Sequence, residues 1–171
     1  MTLVLDVRRR GAVCAVQFED GTELRCTRSF AQRTGITRGQ EIEPVLIERL
    51  RETAGVELGL ELARRRLGHG VHSRSELNQR LLGAGVPREA AETALNRLEA
   101  LDELDDAAGA LTLARISLRE REHDWQEFRA RCGRRLQRRG FAGTDIARAL
   151  QQAWSEAALE AEDWRGRVGE R

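Results

Sequence analysis

The sequence has no lysine and no tyrosine, and it has little proline, methionine or aromatic character. All 29 basic residues are therefore arginine, and 28 acidic residues leave a formal net charge of +1 over 171 residues. A charge so close to zero excludes a global attraction to nucleic acid, so any such contact must come from local patches. No apolar run approaches the length of a membrane span, and the N-terminus lacks a signal-peptide core. We therefore expect a cytoplasmic protein without membrane contact.

Cysteine is also scarce, and the cysteines at positions 14, 26 and 132 lack the CxxC spacing of a metal or redox site. An odd number of cysteines without that spacing is typical of reduced thiols in a cytoplasm. The three histidines form no ligand cluster, so we predict no metal site. Without a nucleophile elbow or a phosphate-binding glycine loop, we predict neither enzymatic activity nor a cofactor. We interpret one acidic cluster as a solvated linker with N-cap residues: Asp102, Glu103, Asp105 and Asp106.

A hairpin signal predicts a small β-containing domain at the N-terminus. Residues 3–7 (LVLDV) are compatible with a strand, and the runs AVCAVQF and TELRCT flank the turn signal EDG at 19–21. A two-residue Asp-Gly turn would mix apolar and charged residues on one face of the hairpin. A three-residue loop with Gly21 in the left-handed region instead places Cys14 opposite Cys26 and gives a clean apolar face. We therefore predict the three-residue loop.

Helical signals begin within the same N-terminal region. One or two helical turns are expected over residues 29–34, and Pro44 is suited to the first turn of a longer helix. We expect that helix to end before Gly55, which would close an N-terminal domain of residues 1–55. From residue 56 the apolar spacing is again helical and continues to residue 67.

The stretch from residue 73 to residue 106 has the strongest helix signals. Ser73 and Glu76 form a capping box, glycines end that helix, and Pro87 is placed for the first turn of the next one. Two short helices joined by a tight Gly-Val-Pro turn make a helix-turn-helix-like unit. With the helix before them they predict a three-helix repeat over residues 56–104. Its expected apolar positions are Leu60, Leu67, Leu77, Leu81, Ala91, Leu95, Leu98 and Leu101.

We predict a second copy of the three-helix repeat over residues 105–165, at an offset of 55 residues from the first. Residues 166–171 are expected to form a frayed tail. Its first helix is expected over residues 106–122, its second begins at a capping box at Asp124, and Thr144 caps its third. The predicted fold class is therefore mainly α, with two tandem three-helix repeats after a small α+β N-terminal domain that contains a β-hairpin. The offset aligns Leu81 with Leu136, Gly85 with Gly140 and Val86 with Phe141.

The order of these signals resembles the RecX family. The segments SRSEL, QRLL, GVP and LxxLxxL running into LDD resemble its first helical repeat, and RRGF followed by DIARAL resembles its closing repeat. The resemblance implies a regulatory protein that binds RecA recombinase filaments and inhibits recombinase, ATPase and coprotease activity in DNA repair and the SOS response. Members commonly have three repeats, whereas two fit here. Gly109 stands where an aromatic residue is usual.

One helix of the second repeat has a candidate partner-binding surface, which we call the arginine face. The apolar stripe of this helix consists of Trp125, Phe128, Cys132 and Leu136. The arginine face follows the spacing i, i+3, i+4, i+7 on the side opposite that stripe and consists of Arg131, Arg134, Arg135 and Arg138.

Two interpretations of the arginine face stay open: a solvated helix surface, or a docking surface for an acidic protein groove or for phosphates. We expect the RecA filament as the partner of a monomer, with weak non-specific contact to single-stranded DNA. The alternative function is a nucleic-acid-binding helical protein that acts through the arginine face. Sequence-specific reading by the helix at 87–101 is disfavoured, because Arg88 and Arg97 are outnumbered there by glutamates.

Overall fold

The computed structural model describes residues 1–119 and 124–169, with side chains described as far as residue 160. A small antiparallel sheet is followed by mainly helical structure. The strands are β1 (Thr2–Arg10), β2 (Val13–Phe18), β3 (Glu23–Thr27) and β4 (Glu41–Ile42). The helices are α1 (Arg28–Thr34), α2 (Pro44–Leu67), α3 (Arg74–Gly83), α4 (Arg88–Ala100), α5 (Asp106–Arg119), α6 (Trp125–Arg138) and α7 (Gly143–Gly169).

The N-terminal hairpin has the predicted register. β2 and β3 are antiparallel, with Cys14 directly opposite Cys26. The loop between them has three residues, since the Phe18 N–H donates to the Thr22 carbonyl at 3.0 Å. Gly21 has φ +81°, a conformation that glycine adopts without a steric cost. The prediction of a three-residue loop is confirmed.

All three cysteines are buried free thiols. Cys14 and Cys26 face each other on the inner side of the sheet, and Cys132 lies in α6. Burial raises the pKa of the Cys26 thiol to about 11, and the neighbouring Cys14 adds to that shift. The Cys26 thiol therefore stays protonated at neutral pH, which lowers its reactivity.

The strand predicted at residues 3–7 is present and longer than expected. β1 continues to Arg10 alongside β2, with an irregularity between Val4 and Asp6. β4 pairs with the beginning of β1 and completes a sheet of strand order β3-β2-β1-β4. The two residues of β4 are too few to show an alternating pattern, so periodicity alone did not predict this strand.

The inner face of the sheet packs against short segments that follow it. The Thr27 hydroxyl accepts a hydrogen bond from the Phe30 N–H at 3.0 Å and caps α1. The predicted short helix is confirmed, and it ends at Gly35 with φ +65°. Phe30, Ile36 and Ile47 are buried in one cluster with the apolar side chains of the sheet.

The helix end predicted at Gly55 is wrong, because α2 runs without interruption from Pro44 to Leu67. Its glycines lie where α4 approaches closely. A Cβ on Gly55 would lie 2.9 Å from the Ala90 Cβ, and a Cβ on Gly59 would lie 2.9 Å from the Ala94 Cβ. These glycines make room for a neighbouring helix, and the boundary predicted after residue 55 falls inside α2.

The buried face of α2 also differs from the prediction. Leu60 and Leu67, expected in the core, are only half-buried. The buried positions are mostly small residues, which let α4 pack close to the α2 backbone. A period counted from leucines alone misses such a face. The buried residues of α2 are Ile47, Ala54, Gly55, Leu58, Gly59 and Ala63.

α3 and α4 begin near the predicted caps. The Ser73 hydroxyl accepts from the Glu76 N–H at 3.1 Å, which confirms the predicted cap of α3. Pro87 is the N-cap of α4 rather than its first helical residue. The prediction that Leu101 lies on the apolar stripe is wrong, because Leu101 is the C-cap of α4 and is 60% exposed. There the backbone has left the helix, so the helical period no longer applies.

The turns after α3 and α6 share one geometry, in which a backbone N–H donates to the carbonyl five residues earlier. That hydrogen bond measures 3.0 Å in the first turn and 3.3 Å in the second. The glycine of each turn has φ +82° and +80°, respectively. The corresponding residues are Leu81, Gly85 and Val86 in the first turn, and Leu136, Gly140 and Phe141 in the second.

The last three helices have their own caps and core. Asp105 caps α5 by accepting from the Ala108 N–H at 3.0 Å, and Asp124 caps α6 in the same way at 2.8 Å, as predicted. α7 begins at Gly143, one residue before the predicted cap Thr144. The predicted apolar stripe of α6 lies in a cluster with α5 and α7. The buried residues of that stripe are Phe128, Cys132 and Leu136.

The chain divides into two compact units. Residues 1–69 with 77–103 form the first, and residues 70–76 with those from 104 onwards form the second. The sheet and α2 therefore belong to the same unit. The division into two tandem repeats stays a prediction, with which the matching turns agree locally. No helix within the described ranges combines the length and apolarity needed to cross a bilayer.

Candidate functional site

The arginine face lies on α6, whose formation follows from local signals. Asp124 caps the first turn, and Glu127 places a second acidic residue near the positive end of the helix dipole. Arg135 and Arg138 lie in the last turn, where cations interact favourably with the dipole. The buried stripe then holds the helix against its neighbours. The ring centroids of Trp125 and Trp154, for example, are 5.4 Å apart.

All four arginines of the arginine face are exposed, as the helical phase predicted. Arg135 lies at its border, with its Nη1 3.5 Å from the Ser117 hydroxyl of α5. Among the described residues, no carboxylate forms an ion pair with Arg131, Arg134 or Arg138. Arg131, Arg134 and Arg138 therefore present guanidinium groups whose charge is not neutralised by a described carboxylate.

This arrangement is suited to binding anions rather than to catalysis. A guanidinium group has five N–H donors in a planar fork that matches a carboxylate or a phosphate. Behind the face, burial raises the pKa of the Cys132 thiol, so this cysteine is a poor nucleophile. The arginine face can hold several acidic groups at helical spacing.

Three residues of the acidic cluster between α4 and α5 make structural contacts: Glu103, Asp105 and Asp106. Glu103 accepts two hydrogen bonds from Arg64, both at 2.7 Å, and this pairing lowers the pKa of the Glu103 carboxyl. Asp105 caps α5, and Asp106 accepts from the Arg74 N–H at 2.7 Å. Across the described part of the chain, no three His, Cys, Asp or Glu side chains are placed to hold a metal ion together.

Arg139 has a structural role that the sequence analysis missed. Its Nη2 contacts Glu76 at 3.0 Å and also donates to the Val71 carbonyl, while its own carbonyl accepts from Ser73. Burial would raise the pKa of the Glu76 carboxyl, but the contacts with His72 and Arg139 outweigh burial and lower it. No periodic signal marks Arg139, because its partners lie more than sixty residues away in sequence.

A second group of arginines, on the N-terminal sheet, was also missed. Arg8 and Arg10 of β1 and Arg25 of β3 line one cavity together with Ala15 of β2. The predicted hairpin register was enough to place one of these arginines, Arg25, on the outer face of the sheet. Because Cys26 faces the core, the adjacent Arg25 must face the other side of the sheet.

No family model matches the chain. The chain is 24% identical over 151 residues to "Regulatory protein RecX" of Enterococcus faecalis (strain ATCC 700802 / V583). That match covers 88% of this chain and 55% of the relative, so the chain spans just over half of the relative's length.

The fold is similar to a solved structure described as "Crystal structure of regulatory protein RecX". The TM-score is 0.54 at 17% identity, and the match covers 89% of this chain and 74% of the other. The sequence relative and the structural neighbour have the same name.

Proposed function

We propose that this chain binds RecA recombinase filaments and inhibits their recombinase, ATPase and coprotease activities in DNA repair and the SOS response. The resemblance to the RecX family supplies the partner and the direction of regulation. The curated relative is named a regulatory protein, which agrees with action through binding rather than through catalysis. The chain acts in the cytoplasm as a monomer and contacts single-stranded DNA only weakly.

The arginine face is the observation that supports this proposal most directly. Arg131, Arg134, Arg135 and Arg138 are exposed over two turns of α6. Because the net charge of the chain is only +1, the electrostatic potential near α6 is set mainly by this patch and not by the charge of the whole molecule. A protein filament that presents acidic residues along a groove would pair with such a row of guanidinium groups.

The test is a double charge reversal, Arg134→Glu with Arg138→Glu. We expect the variant to lose inhibition of RecA ATPase and strand exchange, because each reversal replaces attraction to an acidic groove with repulsion. The matched control is Arg88→Glu with Arg97→Glu, which changes the net charge equally at two exposed positions of α4. Both variants should melt close to the unmodified protein, since exposed charges contribute little to stability.

Two results would contradict the proposal. Inhibition that survives the reversal on α6 would mean that the arginine face is a solvated surface. A protein that binds single-stranded DNA tightly and leaves RecA activities unchanged would favour the alternative, a nucleic-acid-binding helical protein that uses the same face. The two functions are measured separately: the alternative predicts tight oligonucleotide binding that weakens steeply as salt rises, and the RecA proposal predicts inhibition of ATPase and strand exchange.

A further inference from the structure

We propose that the outer face of the N-terminal sheet is a second anion site, which binds phosphate groups of single-stranded nucleic acid. The site is a trough between β1 and β3, and we call it the sheet trough. Its arginines are Arg8, Arg10 and Arg25. This inference does not rest on the proposed RecA function, since it concerns other residues in the other unit.

The strand register brings these arginines to one face. Arg8 and Arg25 both lie opposite Ala15 of the central strand β2, one on each side of it. Arg10 lies opposite Val13, two residues further along the same face. Successive side chains of a strand alternate between the two faces, so this face is the one that does not contain the buried cysteines.

The small residues of β2 leave room between the arginines. Ala15 and Val13 form the floor, and the alanine side chain cannot fill the space between two neighbouring strands. The resulting cavity has a volume of about 380 Å³ and is open to solvent. Its lining includes three arginines and one carboxylate, that of Glu23. A second carboxylate, that of Asp6, pairs with Arg8, so three positive and two negative charges leave the site with one net positive charge.

Arg25 is held in place before any ligand arrives. Its Nε donates to Glu23 at 2.7 Å, and its Nη1 donates to the Ala84 carbonyl at 2.8 Å. Gly85 lies so close that a Cβ there would be 2.8 Å from the Arg25 Nη1. A guanidinium group that is already oriented loses less conformational entropy on binding. Two of its five donors are used in this way, and the others are available to a ligand.

The two arginines of β1 are more loosely held. Arg8 donates through its Nε to Asp6 at 2.9 Å, with its side chain 67% exposed. Arg10 forms no ion pair with any described residue. One alternative role for arginines at the end of a strand is to prevent unwanted pairing at a sheet edge. That role would account for Arg8 and Arg10, but it would not account for Arg25, which reaches the same cavity from the far side of β2.

The chemistry favours a phosphodiester chain as the ligand. Arg8 and Arg10 are two residues apart, about 7 Å along the strand, so they can contact successive phosphates of an extended strand. The cavity lining includes no aromatic side chain on which a base could stack. Binding should therefore involve the backbone alone, with little dependence on sequence and a strong dependence on salt.

Arg10→Glu tests the site, with Arg9→Glu as its matched control. Arg9 is exposed on the same strand and lies opposite the buried Cys14, so its side chain belongs to the other face of the sheet. Both variants change the charge equally. The measurement is fluorescence anisotropy of a labelled oligothymidylate with the full chain, as a function of salt. Circular dichroism and thermal melting confirm that both variants are folded.

We expect Arg10→Glu to weaken binding several-fold and to reduce the slope of log K against log salt by about 0.7, the value of one lost phosphate contact on a single strand. Arg9→Glu should leave the slope unchanged. Inorganic phosphate should compete only at much higher concentration than the oligonucleotide, because it offers one phosphate rather than a chain.

Three results would overturn the proposal. Equal effects of the two variants would show that only net charge matters. Complete loss of binding in the Arg134→Glu, Arg138→Glu variant, with Arg10→Glu unaffected, would assign all binding to the arginine face. Equal competition by free phosphate would point to a simple anion site.

Discussion

Arg139 connects segments of the second unit that are far apart in sequence. Its side chain contacts Glu76 and the Val71 carbonyl, and its carbonyl accepts from the Ser73 hydroxyl. The Arg139 and Glu76 side chains are only 26% and 20% exposed. Their interaction is therefore less screened by water than a surface ion pair. A single residue thus fixes the start of α3 against the end of α6, within one unit.

The Glu76 carboxyl should make this unit sensitive to acid. Its pKa is lowered in the folded state, so its contribution to stability is present above the ordinary glutamate pKa of about 4.3 and is lost as pH falls through the lowered value. We expect Glu76→Gln to reduce the free energy of unfolding at neutral pH by about 1–3 kcal/mol. The difference from the unmodified protein should shrink below pH 4.

Urea unfolding between pH 3 and pH 7 measures this effect. Glu92→Gln is the control, because Glu92 is an exposed glutamate of α4. A constant difference between Glu76→Gln and the unmodified protein across this pH range would contradict the prediction. That result would mean that the carboxylate charge does not contribute.

The contact between α2 and α4 shows how an element can depend on residues without side chains. A Cβ on Gly59 would lie 2.9 Å from the Ala94 Cβ, which is fixed to the backbone and cannot rotate away. The interior of a helix ordinarily disfavours glycine relative to alanine by about 1 kcal/mol. In α2 the close approach of α4 outweighs that preference.

Gly59→Ala should therefore destabilise the protein even though alanine is the better helix former. Gly133→Ala in α6 is the matched control, because a Cβ there would lie 3.6 Å from its nearest neighbour, the Leu150 Cδ1, at ordinary contact distance. We expect the control to stabilise the protein by about 0.5–1 kcal/mol. Thermal melting compares the two variants.

A compensating change sharpens this test. Adding Ala94→Gly to Gly59→Ala should restore much of the lost stability, because it removes the atom that the new Cβ would meet. If Gly59→Ala stabilises the protein as much as Gly133→Ala does, the Cβ of residue 59 has more room than the 2.9 Å distance to the Ala94 Cβ implies.

The elements that the sequence predicted correctly are those with local signals. The hairpin loop depends on the left-handed conformation of Gly21. The α6 cap depends on Asp124, which accepts a hydrogen bond from the N–H of Glu127, three residues later. The buried face of α2 was predicted incorrectly because it depends on Ala90 and Ala94, more than thirty residues away. Sequence periodicity reports which face of a helix is apolar, but not which face a partner can approach most closely.

The candidate surfaces show the same difference between local and distant signals. The arginine face was predictable because its four residues lie within one helix of known phase. The sheet trough depends on three strands, and the part of β1 that contains Arg8 and Arg10 was not predicted as strand. Without the register of β1 against β2, no argument places Arg8 beside Arg25.

For the whole molecule, the near-zero net charge conceals separate arginine-rich surfaces on the two units. Neither surface follows from the overall charge of +1. Each surface arises because a helix or a sheet places several arginines on one face. Many acidic residues, in contrast, form helix caps and ion pairs. The proposed RecA function and the proposed nucleic-acid site can therefore be tested separately.

The predicted tandem repeat can be tested by equivalent substitutions. Leu81 and Leu136 are 2% and 0% exposed, and each accepts the closing hydrogen bond of its turn. We expect Leu81→Ala and Leu136→Ala each to lower the free energy of unfolding by about 2–5 kcal/mol. Denaturant unfolding measures both variants, with Leu101→Ala as a 60% exposed control that should change stability by less than about 0.5 kcal/mol.

A crystal structure of the chain would test the repeat directly. Residues 77–95 should superpose on residues 132–150 at the predicted offset. If the helices after the two turns leave in different directions, the shared turn geometry is a local coincidence and the repeat prediction is wrong.

The distribution of the buried thiols gives the protein built-in reporters of its own opening. Cys14 and Cys26 lie in the first unit and Cys132 lies in the second, and all three are buried and unbridged. An alkylating reagent can reach each thiol only when the surrounding core opens. Pulsed labelling followed by peptide mass spectrometry would therefore give a separate opening rate for each unit, from the natural sequence and without an introduced probe.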